Sequence, residues 1–335
     1  MSTTPRGDSA APARDSAPVQ RTRNKRSSMA KAEQRAGLTL ISPTLIIVLV
    51  LIVIPILWTI MLSFQQIRLL NLRTAGVLGN YTVSNFAEVF SSPGFLEALI
   101  ITLVYSVAGT GLAIGLGLVT ALALRKPFRG RTFVRAATLI PYVAPIVAVT
   151  FVWTTMLNPQ FGIINHWGTT FLGWEEAVPF LSERQREVSF LGITFTVPTA
   201  LFTVIAFEAW RSFPFAFLFL TARLQAVPAS LDEAARVDGA TPTQRFRYIL
   251  LPQLLPTIAV LSVLRFIWTF NSFDDIYLLT GGGAGTEVVA VRVYNFLISR
   301  GDIGAAAAQA VVLAAILAVL VGIYLKFFAK KEEVS

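Results

Sequence analysis

Arg265, Trp268, Thr269 and Ser272 recur at offsets of 0, 3, 4 and 7 inside an apolar stretch. That spacing puts them on one face of a helix. A second apolar stretch carries Glu208, Arg211, Ser212 and Phe215, and a third carries Tyr142 between Pro141 and Pro145. Ionisable groups within apolar spans are costly and usually face a bundle interior or a cavity. Aromatic rings beside guanidinium and hydroxyl groups suit a polyhydroxylated ligand, with rings on its C–H faces and donors on its hydroxyls. The candidate binding residues are therefore Tyr142, Arg211, Ser212, Phe215, Arg265, Trp268, Thr269 and Ser272. A plainer reading stands beside this one. Glu208 and Arg211 are i,i+3 and can neutralise each other.

Other chemistries find little support. The chain has no cysteine and one histidine, His166, so thiolate and histidine-based metal sites are not expected. Asp274 and Asp275 are adjacent, so they point to different helix faces and suit structural or gating roles near the outer end. Gly281-Gly282-Gly283 is followed by no Gly-Lys-Ser/Thr, so it is read as a turn or gating loop rather than a nucleotide site. No catalytic residue, metal or cofactor is expected, and the chain should not hydrolyse ATP by itself.

The elements that carry these residues must cross a bilayer. Of 335 residues, 54% are hydrophobic and only 14% charged. Mean hydropathy is +0.65. Soluble domains typically carry about 25% charge. Six segments reach the roughly 20 apolar residues that a span requires: 38–64, 96–123, 132–157, 198–222, 255–280 and 304–328. The fold class is an all-α polytopic membrane protein. Lysine plus arginine numbers eight in the N-terminal tail, five in 124–135, four in 223–254 and three at the C-terminus. Each of the other three connections has two. This bias predicts that both termini and the 223–254 connection are cytoplasmic and that 158–197 faces outward. Placed from those boundaries, Tyr142, Arg211 and Arg265 all fall about 15 Å into the membrane, near its middle. The net charge of +9 sits in a tail and in alternate loops, which does not suggest nucleic acid. Residues 1–36 have no apolar periodicity and read as a disordered basic tail preceding a membrane domain over 37–335.

The 232–252 stretch, DEAARVDGATPTQRFRYILLP, carries six charges between apolar runs. Ser230 with Glu233 fits a capping box, and Leu231, Ala234 and Ala235 then share one helix face. Gly239 suits a left-handed helix end. Thr241-Pro242 suits the start of a second helix, with Pro252 and Pro256 marking the return to the membrane. The small-residue face permits close approach by another surface, so the pair reads as a docking knob rather than a plain loop.

Glu233, Ala234, Ala235, Gly239, Ile249, Leu251 and Pro252 resemble, without a gap, the EAA loop of ABC importer permeases. The stretches 140–165 and 270–287 are similar to carbohydrate-importer permeases, especially the MalF-like half. The resemblance covers about residues 38–328. It implies that the loop is a coupling helix seated in a cytoplasmic ATPase. It also implies a second homologous permease subunit in a heterodimer, two ATPase subunits, an external solute-binding protein and a sugar substrate crossing a bacterial inner membrane. The eight candidate residues fall at or next to sugar-binding positions of MalF-like subunits, with several identities changed. Two departures are evident. The large external insertion and extra N-terminal spans of the enterobacterial maltose subunit are lacking, and Ala284 stands where the family often has proline.

Several smaller features leave alternatives open. Gly111-x-x-x-Gly115, with Gly109 and Gly117, suits close helix packing, either to another subunit or within the chain. Trp167 and Trp174 read as interfacial anchors. His166 reads as a loop or interfacial residue. Glu175, Glu176, Glu183 and Glu187 read as a solvated outer surface that could receive a binding protein. The competing functions are an ABC permease for a polyol or glycerol-phosphate-like solute and an ion-coupled secondary transporter using Glu208, Arg211 or the aspartates. A membrane enzyme is the weakest alternative.

Overall fold

The computed structural model describes residues 23–74, 76, 77, 79–190 and 193–332. Its contacts divide the chain into two units, Met1–Trp58 and Thr59–Ser335. Among the described residues, five helices are long and apolar enough to cross a membrane: Gly37–Ser63, Phe95–Ala123, Thr199–Gln225, Pro242–Phe270 and Ile303–Lys326. We call these spans one, two, four, five and six. Span three is a pair, Arg131–Val143 and Ile146–Met156, bent by 97° at its break. The span expected over 132–157 is thus broken into two helices. The cause is Pro145, which forces the residue before it out of helical geometry. Ala144 accordingly sits at φ −66°, ψ 142°.

In the first unit, helix runs from Arg23 to Val48 and passes through a π turn, Leu49–Val53, before Ile54. Of the tail expected over 1–36, residues 1–22 lie outside the described residues. From Arg23 onward the backbone is helical, because Ala, Lys, Glu, Gln and Arg are good helix formers. The π turn lies just ahead of Pro55, which has no N–H to donate. A second π turn, Phe246–Leu250, precedes Pro252 in the same way. Local widening of the helix absorbs a missing donor without ending the helix.

That second case shifts an expected boundary. Span five begins at Pro242 rather than 255 and ends at Phe270 rather than 280. The chain then breaks at Asn271 and resumes as the short helix Asp274–Thr280. Arg265 consequently lies in the last two turns of its helix, not midway along it.

The core of the second unit is made by span two against span four. Gly109 and Gly117 permit this approach. A Cβ at Gly117 would lie 2.7 Å from Ala216 Cβ and 2.8 Å from the Phe217 backbone nitrogen, and one at Gly109 would lie 3.1 Å from Glu208 Cγ. Gly111 and Gly115 face open space. The close packing therefore uses the flanking glycines, within the chain. Apolar clusters fill the rest, one around Leu220, Leu254 and Leu261, another around Tyr105, Phe207 and Ile276.

The connection after span three holds a helix, Ile163–Phe171, and an antiparallel pair, β1 (Arg186–Phe190) and β2 (Ile193–Val197), with Arg186 opposite Val197. Buried Asn165 ties this region together. Its Nδ2 donates to the carbonyls of Leu157, Asn158 and Val178, and its Oδ1 accepts from Val178 N at 2.7 Å. Trp174 packs over Gly168 and within 5.9 Å of the Phe180 ring. Trp174 is half-buried, whereas Trp167 is exposed.

Candidate solute pathway and coupling loop

Two arginines and two carboxylates meet where spans two, four and five converge. Glu208, fully buried on span four, accepts from Arg265 Nη2, from Thr269 Oγ1 at 2.9 Å and from Ser212 Oγ at 3.1 Å, all on Oε1. Asp275, fully buried on the helix after the break, accepts on Oδ2 from Tyr105 OH at 3.1 Å, Arg211 Nη2 at 3.2 Å and Ser272 Oγ at 3.4 Å. Arg211 Nη2 also stands 3.1 Å from Asp275 Oδ1 and 3.7 Å from Glu208 Oε2. The break after Phe270 makes this possible by turning the chain so that Asp275 enters the bundle while Asp274 stays exposed. Burying ions costs several kcal/mol each unless partners compensate (about 3–5 kcal/mol is lost when one partner is removed). Here each cation has a carboxylate.

Beside this network lies an aromatic surface. The Phe215 ring is 5.9 Å from Tyr142, 5.1 Å from Trp268 and 4.8 Å from Phe219. Arg265 lies over Trp268 at 5.8 Å. Tyr142 and Trp268 are 40% and 45% exposed, whereas Arg265, Thr269 and Ser212 are buried. A second aromatic group, Phe273, Tyr277 and Tyr294, has ring separations of 4.8 to 5.0 Å.

The loop between spans four and five contains one separate helix, Ala229–Val237. Its N-cap is Pro228 and no side chain caps it, so the expected Ser230–Glu233 box is absent. The helix starts one residue before Ser230, which places that serine within the first turn. Its end is as expected. Gly239 has φ +74°, and Ala240 N donates to Ala235 O at 2.9 Å. Thr241 makes a true capping box with Gln244, but it opens the long helix of span five rather than a separate short one. Pro252 and Pro256 lie inside that long helix. Asp232 fastens the two parts by accepting from Arg236 at 2.8 Å and Arg245 at 2.9 Å. Partial burial raises its pKa, but the two arginines outweigh this and hold the carboxyl below its ordinary value of 3.8. Ala235 is buried against its own chain, while Leu231, Glu233, Ala234 and Val237 are exposed. The face expected to contain Leu231, Ala234 and Ala235 together is therefore split.

The family described as binding-protein-dependent transport system inner membrane component matches residues 113–333. The chain belongs to this family. It is a multi-pass inner-membrane permease of the ABC importer type. Similar relatives include the inner membrane ABC transporter permease protein YcjO of Escherichia coli strain K12, 33% identical over 84% of this chain and 90% of that one. The trehalose/maltose transport system permease protein MalF of Thermococcus litoralis is 32% identical over 90% of this chain and 97% of its own length. The sn-glycerol-3-phosphate transport system permease protein UgpA of Brucella suis is 32% identical over 88% and 95%. Among solved structures, a bacterial ABC transporter involved in the import of the acidic polysaccharide alginate shares the fold. Its TM-score is 0.75 and its identity 22%, over 90% of this chain and 99% of that chain.

Within this permease the eight residues expected to bind solute form one neighbourhood with two environments. Tyr142, Phe215 and Trp268 build the aromatic surface. Ser212, Arg265 and Thr269 are turned onto Glu208, and Ser272 with most of Arg211 onto Asp275. Asp275 and Tyr105 are members that sequence reasoning did not place in the site. The chain break that admits Asp275 leaves only Asn271 and Ser272 as its trace. Arg292 is another omission. Buried, it pairs with Glu287 at 3.2 Å and donates to Ser92 Oγ at 3.0 Å and Pro93 O at 2.7 Å.

Proposed function

We propose that the permease forms half of the membrane pathway of an ATP-driven importer for a neutral sugar. The observation that carries this reading is charge matching beside exposed rings. Arg211 and Arg265 each have a carboxylate, Asp275 and Glu208, while the Tyr142 and Trp268 rings stay exposed on either side of half-buried Phe215. Such a surface attracts a polyhydroxylated solute by stacking and offers no spare cation to an anion. The relatives named for trehalose and maltose support the sugar class. Those named for sn-glycerol-3-phosphate support a second reading, a polyol or glycerol phosphate. That reading needs Arg211, the more accessible of the two arginines, to leave Asp275.

In the proposed assembly a second homologous permease supplies the other half, and an external binding protein delivers the sugar. Both termini lie in the cytoplasm. Two cytoplasmic ATPase subunits receive the Ala229–Val237 helices, through Glu233, Ala234 and the Gly239 turn, while Ile249, Leu251 and Pro252 join that knob to span five. Closure of the ATPases on ATP pushes the knobs. The thrust passes along the continuous helix Pro242–Phe270 to Arg265 and Trp268 at its far end. Alternating access follows if the spans then rotate about the buried ion pairs. Uptake measured with the reconstituted assembly and a competition panel tests the substrate class. Neutral sugars should compete and phosphorylated ones should not. Competition by phosphorylated solutes alone would overturn the sugar reading, and uptake that survives without ATP but collapses with an ion gradient would point to secondary transport.

A further inference from the structure

Away from the pathway, a cavity of about 190 Å³ lies between the 124–135 connection and the end of span four. Its polar lining is Arg125, Arg131, Arg135, Thr221 and Gln225, over an apolar floor that includes Leu224. Among the described residues no carboxylate lines it. Residues 124–139 contain no Asp or Glu, and among the described residues none of Arg125, Lys126, Arg129, Arg131 and Arg135 makes an ion pair.

Part of this arrangement has a purely structural use. Arg131 donates from Nε to Leu124 O at 2.8 Å and from Nη2 to Arg125 O at 3.0 Å, and Arg135 donates from Nη2 to Leu124 O at 3.3 Å. Two guanidinium groups thus close the carbonyl end of span two, where cations are favoured. Two features remain unexplained by that role. Among the described residues, Arg135 Nε and Thr221 Oγ1 are buried without a partner. Arg125 adds a third positive charge to the lining.

We infer that this cavity is a binding site for a phosphate-class oxyanion. A tetrahedral oxyanion offers the several acceptors that unpartnered Arg135 Nε, Thr221 Oγ1 and the free guanidinium donors require. The forked donors of arginine match its geometry bidentately. It also relieves the mutual repulsion of three cations held together in a partly desolvated place. The cavity adjoins the ends of the apolar spans two and four, at Ala123 and Gln225, the level at which a bilayer matched to those spans would present its headgroups. The oxyanion is thus either the phosphate of an anionic lipid or a soluble phosphate.

The test uses the full-length chain in phosphatidylcholine nanodiscs. In one arm inorganic phosphate is titrated and heat is measured. In the other, some of the lipid is replaced by phosphatidylglycerol, and native mass spectrometry counts the anionic lipid retained per chain. Saturable phosphate binding identifies a soluble source. Retained phosphatidylglycerol that phosphate does not displace identifies the headgroup. In whichever arm binds, Arg135→Gln should weaken binding by at least roughly tenfold, the effect of losing a charged hydrogen-bonding partner. Exposed Arg129→Gln, outside the lining, should leave it unchanged. Thr221→Val, which removes an unpartnered hydroxyl and no cap, should also weaken binding and serves where Arg135→Gln does not fold. Failure of the wild type to bind either probe overturns the site. So does an equal loss with Arg129→Gln, which would mean diffuse charge attraction.

Discussion

Glu208 holds three donors on one oxygen and keeps Arg265 compensated inside the bundle. Glu208→Ala leaves that arginine buried and unpaired, so it should destabilise the permease by about 3–5 kcal/mol. Thermal unfolding in nanodiscs reads this directly, and a variant as stable as wild type would mean that the pair is dispensable. Trp268→Ala should behave differently. It removes an exposed ring and leaves the network intact, so the half-saturating sugar concentration should rise about tenfold, the loss of roughly 1.4 kcal/mol of contact, with little change in melting. Equal melting losses for the two variants would erase the distinction between network and surface. Ala284 tests the backbone alone. Its φ of +52° is a left-handed conformation that proline's ring forbids and glycine adopts freely. Ala284→Gly should stabilise by about 0.5–1 kcal/mol and Ala284→Pro should destabilise by more. The family's common proline therefore implies a different turn here, an implication hidden in the residue type until the dihedral is seen.

At the scale of elements, the loop between spans four and five is a short helix clamped to a long one by Asp232. The clamp has full strength well above pH 3.8, where the carboxyl is ionised in both folded and unfolded chains. It is lost as pH falls through the lower, folded value. Asp232→Asn should imitate acid at neutral pH, costing about 0.5–1 kcal/mol locally. Faster tryptic cutting at Arg236, with the spans still intact, is the expected readout. An unchanged cutting rate would show that the clamp contributes nothing. Gly117→Val should be far more damaging, since span four's backbone stands where the side chain would go. Its sign is checked by whether the chain still reaches the membrane in a folded, monodisperse form.

For the molecule as a whole, legibility followed the range of each signal. The spans were readable because apolar length is a local property. Arg265 and Trp268 were readable as one face because helical periodicity is local too. The Thr241 cap and the Gly239 turn were also readable, each within four residues. What could not be read depended on partners far apart in sequence. Tyr105 and Asp275 meet across 170 residues, and nothing near either announces the other. The boundary of span five was misplaced because Pro252 normally signals a stop, whereas a π turn lets the helix run through it. Among Gly109, Gly111, Gly115 and Gly117, spacing alone does not say which face a neighbour; Gly109 and Gly117 do, within the chain.

In the proposed mechanism the exposed loop helix transmits work from an ATPase to the pathway. The chain has no cysteine, so Ala234→Cys introduces one unique thiol on that helix. The decisive measurement is cross-linking from this thiol in native membranes, with and without ATP, followed by mass spectrometry of the adduct. A cross-link to an ATP-binding subunit is expected, and so is its loss, together with uptake, when Glu233→Lys is added. An Ala234 thiol that meets no ATPase, in membranes that still import solute by ATP hydrolysis, would contradict it.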